Sequence, residues 1–310
     1  MYREELVPII QRVRNEQMQG HETRRHLYVE LEKQLGRPVV AFFTSFRFPV
    51  MIENEDADML EGILQKTDLP SGLALVINSP GGDGLAAERI VNICRNYSGT
   101  KEYWAVVPGK AKSASTMICF GASKIIMSGT SELGSIDPQV IVPDENGVVV
   151  KRFSAYNIIE SYRDLFSRAI KEKGNLQPYL QQLANYDERE IKELEAACSL
   201  SEDIAVRTLG SGMMRGIPDR KIKQKLEIFL TPKRTKVHGR PIYADEALKC
   251  GLNVELRDSK EECWKLVYEL YIRINTLVAT RVAKCIESKD HSFVAKLTKG
   301  SLAEGGEGDV

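Results

Sequence analysis

A short glycine turn, a serine among small residues and one late histidine are the residues of this sequence best suited to chemistry. Ser79-Pro80-Gly81-Gly82 directly follows the apolar run LALVIN (73–78). Glycine lets backbone amides approach a ligand closely, so two N–H groups can converge on one oxygen and stabilise charge developing there. Alone, the same turn reads more simply as a strand-to-helix connection. No Gly-Lys-Ser/Thr follows, which excludes a phosphate-binding loop. In GKAKSASTMICFGASKIIM (109–127), small residues open a short helix after a strand. Ser113 then stands at the positive end of a helix dipole, and Ala114 N–H becomes a further oxyanion donor. A serine there also serves as an ordinary cap, and Ser115 competes within the same run. Of the four histidines, His21 and His26 lie in a charged N-terminal stretch and His291 lies near the end. Only His238 precedes a compact helix–strand unit (238–256), where it reads either as a base or as an exposed loop residue.

The elements that must position these groups follow from hydrophobic periodicity. Residues 1–35 read as helix, closed by Gly36-Arg37-Pro38. The runs at 39–46, 73–78, 103–109 and 124–128 read as strands, separated by helices at 56–64, 85–97 and 113–122. Such alternation predicts βαβ units and a parallel sheet. A hairpin is expected around Glu145-Asn146-Gly147. Helical, charged patterns fill about 154–230, and 259–288 reads as one long amphipathic helix. The expected organisation is a helical extension (1–35), a catalytic domain (36–256) with a helical insertion at about 154–230, a C-terminal helix (257–296) and a disordered tail (297–310).

Composition narrows the function classes. The 310 residues carry 43 basic and 43 acidic side chains, so net charge gives no reason to expect nucleic acid or an anionic membrane as partner. The six cysteines form no C-x-x-C pair, which speaks against a zinc site or a disulfide framework. The beginning, MYREELVPIIQRVRNEQ, lacks the apolar run of a signal peptide, and no other segment approaches membrane-span length. A cytoplasmic protein without metal or cofactor is expected.

Three segments together resemble the ClpP/SppA/crotonase superfamily, and most closely the SDH-type Clp-fold serine proteinases: INSPGG (77–82), SASTMICFGASKIIM (113–127) with the following GSIDPQ (134–139), and the unit from His238 to Val254. The likeness runs from about Glu30 to Glu255. It implies an α/β fold with a ClpP/crotonase-like parallel sheet and added N-terminal, middle and C-terminal helices. It also implies hydrolysis of peptide bonds in a peptide or protein substrate. Its register, with the nucleophile eleven residues before Lys124, selects Ser113 over Ser115. By the same resemblance His238 is the general base, Asp137 the orienting carboxylate, and Gly81, Gly82 and Ala114 the oxyanion hole. Relatives of the SppA kind use a Ser–Lys dyad, for which Lys151 is the alternative base and Lys112 a lesser one. Family members usually carry two glycines after the serine; here Ala114 and Ser115 narrow that space. The resemblance implies a homo-oligomer and leaves room for an ATPase or regulatory partner. Two other readings are an acyl-thioester-binding crotonase-like enzyme and a catalytically idle oligomeric scaffold.

Overall fold

The computed structural model of the protein describes residues 8–16, 20–143, 149–280 and 282–297. Helices α1 (Ile9–Asn15) and α2 (Glu22–Leu35) precede strand β1 (Val39–Thr44). There follow α3 (Asn54–Leu64), β2 (Leu73–Asn78), α4 (Gly84–Tyr97), β3 (Tyr103–Val107), β4 (Lys110–Ala111), α5 (Ala114–Gly121), β5 (Lys124–Ser128) and β6 (Glu132–Leu133). Strands β7 (Gln139–Pro143) and β8 (Val149–Ser154) pair antiparallel. The turn expected at 145–147 lies outside the described residues. Six helices come next: α6 (Ala155–Lys171), α7 (Gln177–Leu183), α8 (Glu188–Gly210), α9 (Asp219–Lys225), α10 (Glu227–Leu230) and α11 (Pro232–Thr235). The described chain closes with α12 (Ala244–Lys249), β9 (Val254–Arg257), α13 (Glu262–Val278), β10 (Val282–Glu287) and β11 (Ser292–Lys296).

The main sheet has seven strands in the order β11-β10-β1-β2-β3-β5-β9. From β1 to β9 every pairing is parallel, as the βαβ reading requires. β1 and β2 are buried throughout, the pattern of strands covered on both faces. Alternate residues serve two cores. Val40, Phe42, Leu75 and Ile77 meet Leu60, Ile90, Ile118 and Leu209 of α3, α4, α5 and α8. Val39, Phe43, Ala74 and Val76 meet Leu27 and Leu31 of α2 and Trp264 and Leu270 of α13. The result is a helix–sheet–helix sandwich whose strand C-termini open on one edge.

The C-terminal expectation needs correction. Neither a helix through 259–288 nor a helical unit over 257–296 occurs: α13 ends at Val278, and β10 and β11 extend the sheet antiparallel beyond β1. Lys284 and Glu287 are buried in β10 because partners arrive from elsewhere. Lys284 Nζ lies 2.9 Å from Asp56 of α3, and both Glu287 oxygens accept from the Arg24 guanidinium of α2 at 2.6 and 2.7 Å. Tyr28 and Ser292 hydroxyls also donate to Glu287. Burial alone would raise the Glu287 pKa, but Arg24 outweighs it and holds that carboxyl below its ordinary value. Of the expected disordered tail, residues 298–310 lie outside the described residues.

Candidate active site

The two turns predicted to face one oxygen are in contact. Past β2, Ser79 N–H donates to Lys110 O and Lys112 N–H donates to Ser79 O, which joins the turn to β4. Gly81 has φ 102°, and a Cβ there would stand 2.6 Å from Ser113 Cβ and 2.5 Å from Lys112 O, so only glycine fits. A Cβ on Gly82 would overlap the Ile52 backbone. Ile52 N–H donates to Gly81 O and Asp83 N–H donates to Ile52 O, which fixes the Gly82 peptide from that side. Gly81 N–H is engaged with Ser79 Oγ at 3.1 Å. By contrast, Gly82 N–H and Ala114 N–H find no acceptor among the described residues.

Ser113 ends the β4–α5 connection with φ 51° and ψ −122°, as N-cap of α5. Only Lys101, Ser113 and Lys236 among the described non-glycine residues have positive φ. Such a conformation costs about 1–3 kcal/mol and persists only where surroundings enforce it. They do so here: Thr116 Oγ1 bonds Ala111 O at 2.7 Å, and Ser115 Oγ bonds Lys112 O at 2.7 Å and Ser79 O at 3.0 Å. Ser115 is thus fully buried and its hydroxyl committed to the backbone. Ser113 Oγ has no hydrogen-bond partner among the described residues. The backbone therefore separates two serines that residue type could not. The thiols are no rivals: burial pushes Cys94 up to about 12, and burial followed by the Asp137 charge pushes Cys198 up to about 11.

Asp137 and His238 meet. His238 Nδ1 lies 2.7 Å from Asp137 Oδ1, and Gln139 Nε2 donates to Asp137 Oδ2 at 2.9 Å. The carboxylate is buried, whereas 27% of the His238 side chain is exposed. The segment carrying Asp137 is stitched to both neighbours. Gly134 N–H donates to Thr116 Oγ1 at the start of α5, and Leu133 exchanges two backbone bonds with Ile242 after His238. Ser113 and His238 thus flank one segment, but no hydrogen bond joins them in the free chain. Gln139 escaped the sequence reading. Its signal was its place in the I-D-P-Q loop, two residues beyond Asp137.

Of the two candidate lysines, one is ion-paired and the other exposed. Lys112 Nζ turns to Glu132 at 2.8 Å and to Leu133 O at 3.0 Å, with burial lowering its pKa against the raising effect of Glu132. Lys151 is exposed on β8. A groove of about 830 Å³ is lined by His238 together with residues of β8, α6 and the 232–239 segment. Among the described residues no cluster of three or more metal-ligating side chains occurs, and no helix is long and apolar enough to cross a membrane.

Comparison with known proteins adds three findings. A family model described as ClpP-like SDH-type serine proteinase matches residues 11–194, more than half of the chain. That span contains Ser113, Asp137 and the glycine turn but stops before His238. Two uncharacterised proteins of Methanocaldococcus jannaschii are similar. One is 26% identical over 141 residues, 43% of this chain and 44% of the relative. The other is 31% identical over 105 residues, 34% of this chain and 33% of the relative. The chain therefore spans less than half the length of these relatives. Among solved structures, a mutant of a membrane-bound stomatin-specific protease with a substrate peptide is similar at 16% identity and TM-score 0.28, covering 72% of this chain and 94% of that one. A likeness of that score bears on no individual residue.

Proposed function

Because the chain belongs to the ClpP-like SDH-type serine proteinases, we propose that it hydrolyses peptide bonds with Ser113 as nucleophile and His238 as general base. Asp137 orients the imidazole, and the amides of Gly82 and Ala114 receive the oxyanion. The observation that carries the reading is the 2.7 Å bond from His238 to a buried carboxylate 101 residues away. With Nδ1–H donating to that carboxylate, Nε2 is the acceptor a base requires.

In the forward step Nε2 takes the Ser113 hydroxyl proton as Oγ attacks the peptide carbonyl carbon. Asp137 stabilises the imidazolium so formed, and the carbonyl oxygen, now negative, turns to the two open amides. Imidazolium then gives its proton to the leaving nitrogen as the C–N bond breaks. Nε2 then takes a proton from water as its oxygen attacks the acyl carbon, and returns that proton to Ser113 Oγ as the acyl–oxygen bond breaks and the carboxyl product leaves. The nucleophile–base contact often closes only when substrate is bound, which accommodates its absence in the free chain. Gly81 contributes shape, since its own amide is engaged with Ser79. Lys151, the alternative base, is exposed on β8.

A fluorophosphonate probe tests the assignment. Labelling is expected for the native chain, lost in Ser113→Ala, strongly slowed in His238→Ala and retained in Lys151→Ala. Full labelling of His238→Ala with none of Lys151→Ala would replace the triad by a Ser–Lys dyad. Exposed Phe166 and Ile170 of α6 and Leu180 of α7 support self-association as part of the same proposal, readable by light scattering at micromolar concentration.

A further inference from the structure

The groove beside His238 is chemically one-sided. Arg152 and Lys236 line it and, among the described residues, no aspartate or glutamate does. Arg152 makes no ion pair among the described residues. Lys236 Nζ donates one bond, at 2.8 Å to Lys233 O, which leaves two of its three donors open. Asp137, which holds the His238 ring, is buried with both oxygens taken. Two unneutralised cations thus share a concave surface in a chain whose net charge is zero. Apolar surface lines the same groove: Phe153 is 44% exposed and Val237 62%, and Tyr186 adds an aromatic ring. At about 830 Å³ the space suits several side chains of an extended segment.

Resting on the hydrolase reading above, we infer that this groove selects polypeptide substrates carrying acidic side chains next to a bulky apolar one, with Arg152 and Lys236 as the specificity-determining residues. The carboxylate meets the cations and the apolar side chain covers Phe153 and Val237. A nucleic acid fits poorly, because its affinity is built from many phosphate contacts and only two cations stand here. Position adds to chemistry: His238, the proposed base, is itself one of the residues that line the groove.

The test uses the full chain with Ser113→Ala, so that binding is read without turnover. Two fluorescein-labelled peptides of equal length, one with two Glu beside Leu and the other with Gln in their place, are compared by anisotropy. The Glu peptide is expected to bind about tenfold tighter at low salt, an advantage that high salt removes. Arg152→Ala with Lys236→Ala should bring the ratio below about twofold. The chain with Ser113 intact should show the same preference in kcat/KM. Equal affinities, or a preference the double variant keeps, would overturn the inference. So would single-stranded DNA or anionic vesicles binding through Arg152 and Lys236 while the Glu peptide does not bind. Hydrolysis of both peptides at equal rates refutes the groove and leaves the hydrolase standing. Selective binding without any hydrolysis by the intact chain does the reverse.

Discussion

Asp137 and Glu287 are both buried carboxylates whose main partner lies more than a hundred residues away in the chain, 101 in one case and 263 in the other. Their partners differ in kind. Glu287 is saturated by the fixed charge of Arg24 and by the hydroxyls of Tyr28 and Ser292, all buried or nearly so. Asp137 takes one bond from an amide and one from a partly exposed ring whose second nitrogen has no partner among the described residues. A carboxylate locked to a permanent cation can only fasten; one facing a titratable ring can respond to a proton arriving on the far side. The first pair holds the N-terminal helix to the last strands of the sheet, and the second belongs to the proposed chemistry.

The sharpest way to break this contrast is to neutralise each carboxylate. Asp137→Asn is expected to lower kcat by about 10⁴-fold, because the imidazole loses its tautomer and its counter-charge. Its melting temperature should change little. Glu287→Gln should do the opposite: it removes the carboxylate from a buried ion pair with Arg24, at a cost of about 3–5 kcal/mol in urea unfolding, with kcat of the folded fraction intact. Exchange of these two outcomes would reverse the assignment. Gly81→Ala comes next. Its Cβ would press on Ser113 and Lys112, and a displacement of about 1 Å at the nucleophile should cost on the order of 10² in kcat/KM. Gln139→Leu is expected to reduce kcat about tenfold while shifting the pH–rate profile, which loss of packing alone would not do.

The smallest effect is in the pH dependence of stability. The folded Glu287 pKa is depressed, so its contribution is complete above the unfolded value of about 4.3 and is lost as pH falls through the lower folded value. Native protein should lose stability below about pH 4, and Glu287→Gln should flatten that part of the curve. An unchanged acid limb in Glu287→Gln would show that the pair contributes nothing to acid unfolding.

Much of the fold was legible because parallel strands buried on both faces must be continuous apolar runs, as at 73–78 and 124–128. The glycine turn and Ser113 were legible as types in order, and the resemblance supplied Asp137 and His238. What stayed hidden depends on partners distant in sequence. VAKCIE (282–287) extends the apolar pattern of α13, and its two charges look like the solvated face of a helix until Asp56 and Arg24 are seen against them. Ser113 and Ser115 are alike in composition and differ in backbone dihedral and in what the hydroxyl touches. Gly81 looked equivalent to Gly82 as a donor, but the direction of Ser79 Oγ is not written in residue types.

The pairing of β10 with β1 also imposes a timetable. One edge of β1, and the buried Arg24 beside it, wait for residues 282–287, so strands formed early in synthesis stay unsealed until nearly the whole described chain is available. His238 likewise arrives 125 residues after Ser113 (238 minus 113). A ribosome-bound chain that has exposed the serine turn alone is therefore expected to remain unlabelled by fluorophosphonate. Labelling should rise only once His238 has emerged, and resistance to added protease only once β10 has. On the proposed function, a nascent chain ordered in this way has no complete cutting site while its own strands are still open to attack.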